Sequence, residues 1–269
     1  VLQGSAQEQS SKSDESKSKD QKKKDQKKKD QKKESNPSHD FDASLYMASI
    51  PKTLPVLNGT HVLVIPIHGT IDRGLPPFIE RQLTENPEAD LIIFDVDTFG
   101  GRVDAATEIR DLILKESRPT VAYVHRRAIS AGALISFAAQ YLVFSEGATM
   151  GAATPIQLNG GQAEAVGEKM VSYFRSEMRS TAEQNGWDGD VAEAMVDRDK
   201  EVKGVSPKGK LLTLTTKQAQ AIKMMNAFHP TLESLLEEMG MKEAKRIQAQ
   251  TNWAEEVARF FTDPTVSGL

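Results

Sequence analysis

The run "ADLIIFDVDT", Ala89 to Thr98, restricts the architecture more than any other stretch, because it is almost uninterruptedly apolar. A strand of that composition needs cover on both faces, as interior strands of parallel sheets have. Before it, "HVLVIPIHGTI" (His61 to Ile71) reads as a strand ending at Gly69, and "LPPFIERQLTEN" (Leu75 to Asn86) as a helix with two prolines in its first turn. After it come an amphipathic helix from Val103 to Glu116, a stop at Pro119, and a strand from Thr120 to His125. Arg126 to Ile129 reads as a turn, Ser130 to Gln140 as a buried helix, and "YLVFS" begins at Tyr141. This alternation predicts an α/β fold with a mostly parallel sheet flanked by helices. Beyond Gly151 the pattern becomes more helical: Ala163 to Asn185 as one long helix, Val191 to Asp199, Lys217 to Met225, and Thr231 to Gly240 with Gly240 as its cap. Lys210 to Thr215 reads as a strand.

Composition divides the chain. Residues 1–45 hold almost no apolar side chains, and "KDQKK" occurs three times between Lys19 and Lys33, so a disordered tail is expected there. Val1 to Asp40 carries 11 lysines against 8 acidic residues, so with −4 overall the remainder carries −7. A basic tail on an acidic body argues against a nucleic-acid partner, and suits a solvated spacer or contact with an anionic membrane surface. The predicted folded domain is 46–241. Residues 242–269 form an amphipathic segment with Trp253, Val257, Phe260 and Phe261 on one helical face, read as the approach to a truncated membrane region. The absence of cysteine excludes disulfides and thiolate metal sites, and no stretch is apolar for long enough to span a bilayer.

Ser130 falls where a strand passes into a helix. There it either caps the helix or presents a nucleophile beside unpaired N–H groups and a favourable dipole. "DTFGGR", Asp97 to Arg102, is either a tight strand-to-helix turn or a loop whose Gly100 and Gly101 amides join the Ala131 amide as an oxyanion hole. A serine nucleophile also needs a base. His39 lies in the tail, His61, His68 and His125 at strand ends, and His229 in a late loop, none convincingly placed. A buried lysine is the other option, and Lys169, in the first helical turn if Gly167 delays the start, is the candidate.

Three blocks in order, "DTFGGRVDAA" (Asp97 to Ala106), "AISAGALIS" (Ala128 to Ser136) and "GATMGAATP" (Gly147 to Pro155), resemble the NfeD-type membrane-bound serine proteases of the ClpP class, relatives of signal peptide peptidase A. The resemblance runs from about His61 to Gln220 and implies a ClpP/crotonase-like fold. It also implies a Ser-Lys dyad of Ser130 and Lys169, with Gly100 and Gly101 in the oxyanion loop and no metal or cofactor. Phe99 stands where the family usually has proline, and Asn185, Gly186 and Trp187 replace its usual "GRN" turn. The same resemblance implies an endopeptidase acting on membrane-associated or membrane-proximal polypeptides, tethered at its C-terminal side, with the domain outside the cytoplasm. A stomatin-like partner and a homo-oligomer are expected. The rival readings are a non-catalytic protease-like scaffold and an acyl-CoA-binding crotonase relative.

Overall fold

The computed structural model describes residues 41–46, 51–159, 162–253 and 255, with the side chains of 157–165 outside the description. In chain order the elements are β1 (His61–Ile71), α1 (Leu75–Glu85), β2 (Leu91–Gly101), α2 (Val103–Lys115), β3 (Thr120–Ile129) and α3 (Ala131–Ala138). Then come β4 (Tyr141–Phe144), β5 (Thr149–Gly151), β6 (Ile156–Asn159), β7 (Gln162–Ala165), α4 (Glu168–Gln184) and α5 (Gly189–Ala194). The last are β8 (Thr213–Thr215), α6 (Thr216–Ala221), β9 (Ala227–Phe228), α7 (Leu232–Glu238) and β10 (Lys245–Gln248).

The main sheet runs β10-β1-β2-β3-β4-β9 with every neighbour parallel. β5 continues alongside the end of β3 and pairs antiparallel with β8, while β6 and β7 form a separate hairpin. The apolar run behaves as its composition requires: Leu91, Ile92, Ile93, Phe94 and Val96 are all fully buried at the centre of the sheet. Leu91 and Ile93 meet Leu235, Leu236, Met239 and Met241 on one face. Because side chains alternate along a strand, Ile92 and Phe94 serve the opposite face. α3 is apolar but for Ser136, whose hydroxyl donates to the Gly132 carbonyl at 2.8 Å, and it is buried at every residue, which is how a helix with no polar face must sit.

Several sequence expectations change in the folded chain. Arg126 to Ile129 is no turn but the continuation of β3, because β5 adds to its edge at Arg127, Ala128 and Ile129. The helix expected from Ala163 starts only after Gly167, since residues through Ala165 pair with β6 in the hairpin. β10, beyond the predicted domain end at Met241, pairs with β1 from His61↔Lys245 to Val64↔Gln248, so the sheet extends further along the chain. Of the predicted tail, Ala43–Leu45 forms a 3-10 turn, with the Asp42 N–H donating to the Gly204 carbonyl at 2.7 Å. The tail from 1 to 40 and the apolar C-terminal end lie outside the described residues. Among the described residues no helix is long and apolar enough to cross a membrane.

Candidate active site

Parallel strands deliver their carboxyl ends to one rim of a sheet, and ligands collect there. At this rim the register shifts twice, between His68 and Thr70 of β1 and between Val96 and Thr98 of β2, re-aiming the last residues of both strands. β3 ends at Ile129, α3 starts at Ala131, and Ser130 is the junction between them.

Ser130 has φ 57 and ψ −123, a conformation an L-residue adopts only at a cost of about 1–3 kcal/mol. Its N–H donates to the Gly151 carbonyl at 2.9 Å, and its own carbonyl accepts from Ala133 at 2.9 Å. Its side chain makes no capping hydrogen bond although it occupies the cap position. The hydroxyl is therefore not spent on the helix end. Ala131 opens α3, where the first N–H groups have no intrahelical acceptor.

Gly100 lies against this serine. A Cβ built on Gly100 would stand 2.5 Å from Ser130 Cβ and 3.0 Å from Ser130 Oγ, and its φ is 102. Only glycine satisfies both conditions. At Gly101 a Cβ would fall 2.2 Å from the Ile71 carbonyl, so β1 and β2 close tightly there. The Gly100 N–H donates to Thr98 Oγ1 at 2.9 Å, so among the expected oxyanion donors this amide already has an acceptor.

Lys169 is the second residue of α4, whose N-cap is Gly167, as the delayed helix start requires. It is exposed, and so is Met170 after it. The shelter from water expected around a proton-accepting lysine is not supplied by the described residues of a single chain.

The four histidines among the described residues are engaged elsewhere. His61 Nδ1 lies 2.9 Å from Thr60 Oγ1, and buried His229 meets Glu238 at 2.7 Å. His68 Nε2 lies 3.0 Å and His125 Nδ1 3.3 Å from the Asp95 carboxylate, one on each side of β2. The hydrogen bond to Asp95 raises the His68 imidazole above its ordinary value against the pull of burial, with the Asp95 and Asp97 charges assisting and Arg126 opposing. Next along this polar face, burial pushes the Asp97 carboxyl up. The hydrogen bond from Arg127 and the charges of Arg127, Arg126 and His68 outweigh it, and Asp97 ends below the usual carboxylate range. The same Arg127 guanidinium sits 4.4 Å from the ring centre of Phe99, which is 68% exposed. The aromatic ring at the departure from the family pattern is thus stacked under a cation that is itself tied to Asp97 at 2.9 Å.

Thr98 was not singled out by sequence reasoning. Its signal was a hydroxyl closing a mostly apolar run, two residues before Gly100.

Membrane protein NfeD1b of Bacillus subtilis is 36% identical over 208 residues, covering 76% of this chain and 47% of its own length. Membrane-bound protease PH1510 of Pyrococcus horikoshii is 31% identical over 153 residues, covering 54% of this chain and 34% of its own. The chain thus spans about half the length of the first relative and about a third of the second. In three dimensions, 1510-N, a membrane-bound stomatin-specific protease solved with a substrate peptide, aligns with TM-score 0.64 at 22% identity, over 77% of this chain and all of that one. A structure of 1510-N from Pyrococcus horikoshii, described as specific for a stomatin homolog, aligns at 0.59 and 20% identity, over 76% of this chain and 99% of that one. The fold is that of 1510-N, a mostly parallel α/β sheet flanked by helices. With residues 61–249 matching NfeD1b, N-terminal domain, the chain belongs to that family.

Proposed function

We propose that this domain is a serine peptidase in which Ser130 attacks the scissile carbonyl of an extended polypeptide. As the Oγ–C bond forms, Lys169 takes the hydroxyl proton, and it returns that proton to the amine as the C–N bond breaks. Water, deprotonated by the same lysine, then releases the acyl group. The Gly101 and Ala131 amides hold the oxyanion, with Gly100 supplying the room that lets the serine lie against the loop. Removing one such donor typically costs about 3 kcal/mol of barrier lowering.

The observation that carries this reading is the backbone of Ser130: a strained serine whose hydroxyl serves no cap, pressed onto a glycine that cannot be anything larger. Strain of this kind persists where the surroundings enforce it, and such places are commonly reactive. For Lys169 we infer that the substrate supplies the cover. Met170 and Tyr173, in the first turns of α4, are 45% and 44% exposed, and an apolar peptide lying over them would exclude water from the neighbouring amine. The substrate class is therefore apolar, membrane-proximal polypeptide, and a stomatin-like protein is the proposed partner by analogy with 1510-N. We further place the domain on the extracytoplasmic side of a membrane, in a homo-oligomer.

A fluorophosphonate probe and an unstructured apolar peptide test this. The reading expects labelling at Ser130, cleavage of the peptide, and loss of cleavage in Ser130→Ala and Lys169→Ala with the fold intact. Full activity of Lys169→Ala would overturn the dyad. The exposure of Lys169 favours a second reading, a non-catalytic scaffold for a membrane partner, and an unlabelled Ser130 in the wild-type protein would decide for it.

A further inference from the structure

We infer that Thr98 is the positioning residue of this site, a single side chain that sets both the donor set and the depth of the oxyanion loop. The inference rests on the peptidase reading and adds a residue that acts through its neighbours.

Thr98 is 1% exposed, and each of its side-chain groups meets a different segment of the rim. Its hydroxyl donates to the Gly69 carbonyl at 2.5 Å, at the bulged end of β1. The same oxygen accepts the Gly100 N–H at 2.9 Å. One hydroxyl therefore uses its only proton on β1 and a lone pair on the loop, which satisfies both partners in a buried place. Its methyl Cγ2 occupies the space over Gly132, where a Cβ would come within 2.5 Å of it. That contact leaves room only for glycine at position 132, in the first turn of α3.

Ser130 is affected in two ways. With the Gly100 N–H turned inward to Thr98, the loop's outward donor is Gly101, paired across the serine with Ala131. With Gly100 held at φ 102 by that same bond, the glycine stays pressed on Ser130 Cβ and the strained serine cannot relax toward it. Thr98 acts through Gly100 and Gly132. It determines where the amide that faces the transition state will stand.

Paired substitutions separate this role from plain packing. Thr98→Val keeps the branched shape and deletes the hydroxyl; Thr98→Ser keeps the hydroxyl and deletes the methyl. In the full chain, cleavage of the apolar peptide is measured together with inhibition by a peptide boronate, which forms the tetrahedral anion, and by the corresponding product peptide, which does not. Thr98→Val is expected to lower kcat at least tenfold with KM within twofold, and to weaken boronate binding by a similar factor while product binding is unchanged. Thr98→Ser should stay within threefold of wild type in all of them. Amide hydrogen exchange gives a readout independent of turnover: Gly100 should lose protection in Thr98→Val and keep it in Thr98→Ser. Equal kcat and boronate affinity in wild type and Thr98→Val, or Gly100 protection unchanged in Thr98→Val, would overturn the inference while leaving the peptidase reading standing. A wild-type protein whose Ser130 takes neither boronate nor fluorophosphonate overturns both.

Discussion

Gly100 and Ser130 share one space: the site of the missing Cβ on the glycine lies 2.5 Å from the serine's Cβ. The two residues belong to the ends of neighbouring strands, and the parallel register of β2 and β3 brings those ends together. Gly100→Ala must both force a side chain into that gap and hold alanine at φ 102. It is expected to lower stability by about 1–3 kcal/mol from backbone strain alone. Loss of Ser130 labelling should be larger than the stability loss accounts for. Denaturant unfolding and fluorophosphonate kinetics on the same preparation check this, and an alanine variant of wild-type stability would show that the contact yields freely.

The strain at Ser130 has a signature of its own. Ser130→Gly and Ser130→Ala both remove the nucleophile, but only glycine is at ease at φ 57. The glycine variant should therefore be the more stable of the two by about 1 kcal/mol, despite the flexibility it adds to the unfolded chain. Thermal unfolding measures the order directly; an alanine variant at or above the glycine variant would mean the backbone relaxes when the hydroxyl is removed.

Lys169 separates chemistry from folding. As an exposed residue it should change stability by no more than about 0.5 kcal/mol when replaced by methionine. Peptide cleavage should vanish. A Lys169→Met protein that unfolds early would instead assign the side chain a structural part.

Phe99 and Arg127 form a stacked pair on the outer face of the sheet, tied to Asp97. Such a cation–π contact at an exposed site is worth about 0.5–1 kcal/mol. Arg127→Ala should release both the ring and the Asp97 carboxylate, lowering stability by about 1 kcal/mol and raising the Asp97 pKa. Phe99 stands exposed where the family usually has proline, and Phe99→Pro should alter KM for bulky apolar peptides more than kcat.

His68 should make stability depend on pH. Its imidazole is raised in the folded state by Asp95, so the protonated form stabilises the fold fully below the ordinary histidine value of about 6.5. That contribution fades as pH rises through the higher folded value. NMR titration should find the His68 midpoint above the ordinary value in wild type and lower in Asp95→Asn, with the alkaline decline in stability flattened in the variant. A midpoint that ignores Asp95→Asn would assign the shift to some other group.

Legibility tracked range along the chain. His61–Ile71, Leu75–Glu85, the strand from Leu91 to Thr98 and Val103–Lys115 were readable because each carries its own periodicity over several turns or pleats, whereas Phe99 to Gly101, read as a turn or loop, continue the strand because β1 pairs with Gly100 and Gly101. The short strands were not: Ala227–Phe228 has two residues, and Lys245–Gln248 is too polar to announce itself. Arg126 to Ile129 reads as a turn because Arg126 and Arg127 interrupt the apolar pattern, yet the strand persists because β5 pairs with it, and Asp97 receives the Arg127 charge.

Neighbouring residues were enough to establish an α/β chain with a buried central strand, a serine at a strand–helix junction and a double glycine just beyond the adjacent strand. Composition and spacing are local quantities, and each of those statements is local. Lys169, by contrast, stands at a helix start because the hairpin through Ala165 delays that helix. Whether the serine caps its helix, which loop amide is already bonded, and that Thr98 joins β1, β2 and α3 depend on contacts between segments far apart in the chain. Parallel strands need long crossovers to meet, so their register, and with it the torsion of Ser130, exists only once the sheet has assembled.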